Sequence, residues 1–131
     1  MKIDTALLDA LTAQAKASPR LRMNLDLRNS PQDGSQRMLN AIEPGSQVPI
    51  HRHHRSSETV VVIRGALREI FYDKTGQNII EIIDVRKDGD CFAINIPIDQ
   101  WHTVESLETG TVIMEIKDGP YEPAKPEDFL V

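Results

Sequence analysis

The chain has a single cysteine, Cys91, among its 131 residues. An internal disulfide is therefore excluded, and stability has to come from packing. The apolar neighbours Phe92-Ala93-Ile94 predict that Cys91 is a small buried side chain, because reactive thiols need electropositive, partly exposed surroundings. There is no excess of positive charge either: 15 Lys and Arg stand against 20 Asp and Glu, the formal charge is −5 and the pI is near 5.3. The basic residues are scattered, which argues against nucleic-acid binding driven by the phosphate backbone, and no helix-turn-helix pattern is present. Long hydrophobic runs are missing too. The opening "MKIDTALLDALTAQAKASP" breaks its apolar residues with acids, so neither a signal peptide nor a membrane span is expected and the predicted location is cytoplasmic. No internal repeat or low-complexity tract appears, and the length suits one domain over residues 1–131.

What is present begins with a helix. Ile3, Leu7, Leu8, Leu11 and Ala15 recur at helical spacing, Asp4 or Thr5 can cap the start, and Ser18-Pro19 stops the run. One amphipathic helix is expected within residues 1–18. After it come short apolar runs over 37–42, 58–64, 67–72, 79–85, 92–96 and 111–116. Turn signals such as "EPGSQVP", "RG", "DKTG", "KDGD", "PIDQ" and "LETG" separate them. Many short strands punctuated by Gly, Pro and Asp predict an all-β antiparallel sandwich or barrel spanning 37–117. The run Thr59-Val60-Val61-Val62-Ile63 is apolar on both faces, so its outer side has to be covered by the opening helix or by another subunit; a homodimer is the favoured expectation. The prolines of "DGPYEPAKPEDFLV" predict an extended tail over 118–131.

Three of the four histidines fall within "PIHRHHRSSE". On a strand, His51 and His53 would share one face while His54 points away to the surface, and Glu58 would open the next strand close to His53. A divalent ion needs several nitrogen or oxygen donors converging at about 2.0–2.2 Å, which two imidazoles and a carboxylate on neighbouring strands can provide. The fourth histidine, His102, follows the turn "IPIDQW". Alone it would read as a core imidazole beside Trp101, but a barrel can bring it to the same point.

These residues resemble the cupin family. Its first motif runs glycine, five residues, His-x-His, three or four residues, glutamate, six residues, glycine; Gly45, His51, His53, Glu58 and Gly65 stand at those spacings. Its second motif is met by Gly89, Pro97 and His102, with Asp99 where the family has glycine and Ser106 where it has asparagine. More narrowly, "SPRLRMN", "QRMLNAIEPGS", "SSETVVVIRG", "QWHTVESLETGTVI" and "EIKDGPYEP" are similar to the small WbuC-type cupin metalloproteins, which are associated with bacterial surface-polysaccharide gene clusters. The resemblance implies a cupin double-stranded β-helix, that is a jelly-roll barrel, with one N-terminal α-helix. It also implies one divalent metal ion held by His51, His53, Glu58 and His102, and it agrees with a dimer.

Three imidazoles and one carboxylate suit Zn, Fe, Mn or Ni alike. The resulting charge of about +1 favours a small, oxygen-rich ligand. Glu58 reads either as a ligand or as a base beside a three-histidine site. Glu115, an acid flanked by Met114 and Ile116, faces the cavity or sits at a salt-bridged edge, and is the one catalytic candidate. Arg20, Arg22 and Arg37 can bind an anion or be solvated surface, and Tyr72 and Tyr121 read as packing residues with a wet hydroxyl. Two functions follow: a metalloenzyme acting on a carbohydrate-related small molecule, or a metal-dependent binding or sensing module without chemistry. In a third reading the metal only staples the barrel.

Overall fold

The computed structural model describes residues 1–130; Val131, the last residue of the expected tail, lies outside them. Helix α1 (Thr5–Ala17) starts where the Asp4 carboxylate accepts a hydrogen bond from the Leu7 amide, and it stops at Ser18 before Pro19. Leu8, Leu11, Thr12 and Ala15 are its buried face, the i, i+3, i+4, i+7 stripe of an amphipathic helix.

Eight strands follow: β1 (Arg22–Asp26), β2 (Ser35–Ile42), β3 (Glu58–Arg64), β4 (Ala66–Tyr72), β5 (Ile79–Arg86), β6 (Ala93–Ile96), β7 (His102–Ser106) and β8 (Val112–Asp118). They form a five-stranded sheet in the order β1-β2-β8-β3-β6 and a three-stranded sheet in the order β5-β4-β7, with antiparallel pairing throughout. The two sheets close on an apolar core of Ile42, Val60, Val62, Leu67, Phe71, Val85, Ile94, Ile96 and Ile113. Each such side chain contributes about 1.5–3 kcal/mol by leaving water.

Strand alternation decides what else faces inward. In β2, Leu39 and Ala41 point outward, where Leu8, Leu11 and Ala15 of α1 cover them, while Ile42 lies in the inner core. By the same alternation Asn40 of β2, Glu69 of β4 and both Glu115 and Lys117 of β8 turn toward the interior. One end of the doubly apolar β3 run is covered by the helix: Ile63 packs with the α1 cluster, and Arg64 bonds to Asp9 and Thr12 of the helix. Thr59 and Val61 stay half-buried.

Several expectations need correction. The segment His51 to His53 is not a regular strand: only His51 forms β-bridges, one to His102 and one to Phe129. Two strands were not expected, β1 and β7, so the first sheet begins at Arg22 rather than near residue 37. Cys91 is half-buried beside the core rather than enclosed. The tail is not wholly extended, since Pro126–Asp128 makes a 3-10 turn. Gly65, in the β3–β4 turn, has φ +84 and a Cβ there would lie 2.4 Å from Thr111 Oγ1, so both conformation and space require glycine.

Candidate metal centre

The four residues singled out by motif spacing come together at one end of the barrel. His102 opens β7 and is 2% exposed, and Glu58 opens β3 and is 3% exposed. The long connection between β2 and β3 carries His51 and His53 across. It is tied down by backbone hydrogen bonds between His51 and His102 and by the Asp99 amide donating to the His53 carbonyl. Imidazole centroids lie 4.3 Å apart for His51 and His102, 5.1 Å for His51 and His53, and 5.6 Å for His53 and His102. One ligating atom from each of the three histidines falls within 4.8 Å of the others.

Nδ1 of His51 donates to the Pro49 carbonyl at 2.8 Å, and Nδ1 of His102 donates to the Gln100 carbonyl at 2.8 Å. Those bonds select the tautomer that leaves each Nε2 lone pair free for a cation. Glu58 Oε2 lies 3.0 Å from His53 Nε2 and 3.5 Å from His102 Nε2. Nevertheless His53 Nε2 and Glu58 Oε2 are buried without a hydrogen-bond partner. Burial normally demands partners for such atoms; here unsatisfied donors converge on a common point, the arrangement a divalent ion would satisfy. The residues therefore fit a metal of the nitrogen- and oxygen-liganded kind.

Electrostatics agree with that fit. Burial, helped by the neighbouring His102, pushes the His51 imidazole down to about 4, which keeps it neutral and able to ligate. Burial would raise the Glu58 carboxyl, but His102 and His53 drawn up against it outweigh that and hold it well below the usual range, as an anion. Glu115 faces the interior, where Asn40 Nδ2 lies 3.4 Å from its Oε2. Burial, and then the charge of Glu58, push its carboxyl up to about 8.

Other candidates are placed elsewhere. His54 is exposed and paired with Asp99. Arg22 is engaged with Ser46 and the Gln47 carbonyl, Arg37 with Asp33, and Arg20 is exposed. Tyr72 is half-buried. Tyr121 departs from its expectation as a packing residue: it is 55% exposed and borders a cavity of about 500 Å³ that holds His51 and His53. The C-terminal segment forms the far wall of that cavity. Phe129 lies against His51 with centroids 6.5 Å apart, and the Arg52 amide donates to the Asp128 carbonyl. Neither Asp128 nor Phe129 carried a sequence signal beyond the prolines of the tail.

A family profile described as a domain of unknown function (DUF6016) matches residues 3–83. The chain belongs to that family. No curated protein matches it. Among solved structures, the capsular polysaccharide assembling protein CapF from Staphylococcus aureus is 25% identical with a TM-score of 0.63, over 86% of this chain and 32% of CapF. KdgF from Halomonas sp. is 18% identical with a TM-score of 0.60, over 80% of this chain and 84% of KdgF. Oxalate oxidase in complex with the substrate analogue glycolate is 18% identical with a TM-score of 0.63, over 83% of this chain and 56% of the oxidase. The DUF6016 chain thus spans about a third of CapF and about half of the oxidase. Its fold is the cupin jelly roll, all-β with one N-terminal helix. No helix among the described residues is long and apolar enough to cross a membrane.

Proposed function

We propose that this protein is a metal-binding cupin of the WbuC type, a metalloenzyme that acts on a small, oxygen-rich, carbohydrate-related substrate in bacterial surface-polysaccharide metabolism. His51, His53, Glu58 and His102 hold one divalent ion, and the protein works in the cytoplasm as a homodimer. The observation that carries this reading is the convergence of three imidazoles and a carboxylate with His53 Nε2 and Glu58 Oε2 left unpartnered. CapF, a fold relative, is a capsular polysaccharide assembling protein, and oxalate oxidase is seen with glycolate, a small hydroxy acid.

A bound divalent ion would supply Lewis acidity toward a substrate oxygen. The chain supplies the rest. Glu58 offsets part of the cationic charge, and the Pro49 and Gln100 carbonyls orient His51 and His102. The segment carrying Asp128 and Phe129 forms one wall of the cavity beside the histidines. Glu115, whose carboxyl burial and Glu58 push up to about 8, is our candidate to hand a proton to a substrate oxygen or take one from it.

Elemental analysis of protein purified without added metal tests the reading. About one equivalent of Zn, Fe, Mn or Ni is expected in the native protein and much less in His51→Ala and His102→Ala. A native protein that neither carries nor takes up metal overturns it.

A further inference from the structure

A second cavity, of about 260 Å³, lies on the inner side of β1, β2 and β8. Alone it falls below the roughly 300–1,000 Å³ of a whole ligand site. It is not isolated, however: Gln36, Lys117 and Tyr121 border both this cavity and the one that holds His51 and His53. The two cavities therefore share a wall, and that wall has a distinctive charge.

Most charged groups around the two cavities are already paired. Asp26 binds Arg28, Asp33 binds Arg37, Asp128 neighbours Arg52, and Glu122 binds Arg55. Lys117 has no carboxylate within ion-pair distance among the described residues. It sits directly across from Glu58 in the β3–β8 register, yet the Glu58 carboxylate is turned to His53 and His102. Lys117 is thus a half-buried cation near Glu58 and Glu115 but in ion-pair contact with neither, which leaves its ammonium open to an anion from the ligand.

The second cavity has the mixed character that sugar rings need. Met38 gives an apolar wall, and Asn24 and Glu115 give hydrogen-bonding groups. Tyr121 leaves more than half of its surface exposed. A hydroxyl-bearing ring can bond to Asn24 and Glu115 while its C–H face lies on Met38 or Tyr121.

From this arrangement we propose that the two cavities form one binding site for an acidic, polyhydroxylated sugar derivative longer than a single unit. Its carboxylate end lies at Lys117 beside the histidines and its ring lies between Asn24 and Tyr121. This occupancy rests on the metal-centre reading and adds the class of ligand to it.

Calorimetric titration of the metal-loaded protein with gluconate, lactobionate and lactose tests it. Lactobionate carries both an acid end and a ring, gluconate only the acid, and lactose no acid. Lactobionate is expected to bind at least fivefold more tightly than gluconate, and lactose much more weakly than either. Tyr121→Ala should bring lactobionate down to the gluconate level without altering gluconate. Lys117→Gln should weaken both acids at least tenfold at unchanged metal content. Equal affinity for gluconate and lactobionate, lactose binding as tightly as lactobionate, or no binding of either acid overturns the inference. Protein that takes up no metal counts against the metal centre instead, and lactobionate titrations of that protein with the same two variants still decide the shared site.

Discussion

His51 and His102 exchange both of their backbone hydrogen bonds, the His51 amide to the His102 carbonyl at 3.0 Å and the His102 amide to the His51 carbonyl at 2.9 Å. Residues paired in this way project their side chains on the same face of the ladder, which explains imidazole centroids only 4.3 Å apart. Two histidines distant in sequence are thus aligned by main chain alone. Side-chain substitutions can therefore remove a donor while leaving the bridge in place.

From that separation, His102→Ala is expected to weaken metal binding by on the order of 100-fold or more, since even partners outside the ligand set cost 10–100-fold. Competition titration against a chelating dye reads the affinity. If the variant binds metal as the native protein does, His102 is not a ligand.

Removal of the ion should be visible in stability. At about 1,000 times the dissociation constant, a ligand that binds only the folded state adds about 4 kcal/mol, or on the order of 10 °C in melting temperature for a domain of this size. Thermal melts before and after chelation are expected to differ by that amount, with recovery on adding the metal back. An unchanged melt would mean that no tightly held ion couples to folding.

The sequence made some of this legible and hid the rest for identifiable reasons. Motif spacing located His51, His53 and Glu58, because a turn, a short irregular crossing and a strand start impose fixed intervals. It did not show that the crossing is a single bridge, since one hydrogen-bonded pair leaves no periodicity. Strand β7 escaped notice because its first residue is His102 rather than an apolar side chain, so the alternation was broken where it mattered. Strand β1 did carry a period-2 signal in Met23 and Leu25, which turn to the helix cluster. Its other face, bearing Asn24 and Asp26, borders a cavity instead of a core and looked like a loop. Lys117 gave no warning, and Tyr121 read only as a packing residue, because one exposed-looking cation and one aromatic residue are ordinary surface in any sequence.

Asp99 occupies the position where the cupin pattern has glycine, and it has φ 67. Asp tolerates the left-handed region better than most residues, because its short side chain can bond locally. Its amide also holds the His53 carbonyl at 2.9 Å. Asp99→Gly is expected to keep stability within about 1 kcal/mol, since the turn is then unstrained and only an exposed pair with His54 is lost. Asp99→Val should cost about 2 kcal/mol, because a β-branched residue is badly placed there, and should weaken metal binding through the displaced His53. Urea unfolding and metal titration of both variants check this; equal stability of the two would remove the turn from the argument.

Glu69 turns into the interior between Leu67 and Phe71 with no exposed surface, and neither carboxyl oxygen has a hydrogen-bond partner. Burial first, and then the charges of Glu58 and Glu115, push it up from 4.5 to about 9. Below pH 4.5 both folded and unfolded chains carry the proton, and this group leaves stability unaffected. Between pH 4.5 and about 9 only the unfolded chain releases it, so stability falls as pH rises, by up to about 1.4 kcal/mol per unit. Above that range both states are ionised and the loss is constant. Glu69→Gln, neutral throughout, should therefore gain on the native protein by on the order of 2–4 kcal/mol between pH 5 and pH 8. Urea unfolding at the two pH values, at fixed metal content, measures the difference. A gap that is the same at both would show that Glu69 is ionised in the folded protein and has a partner there.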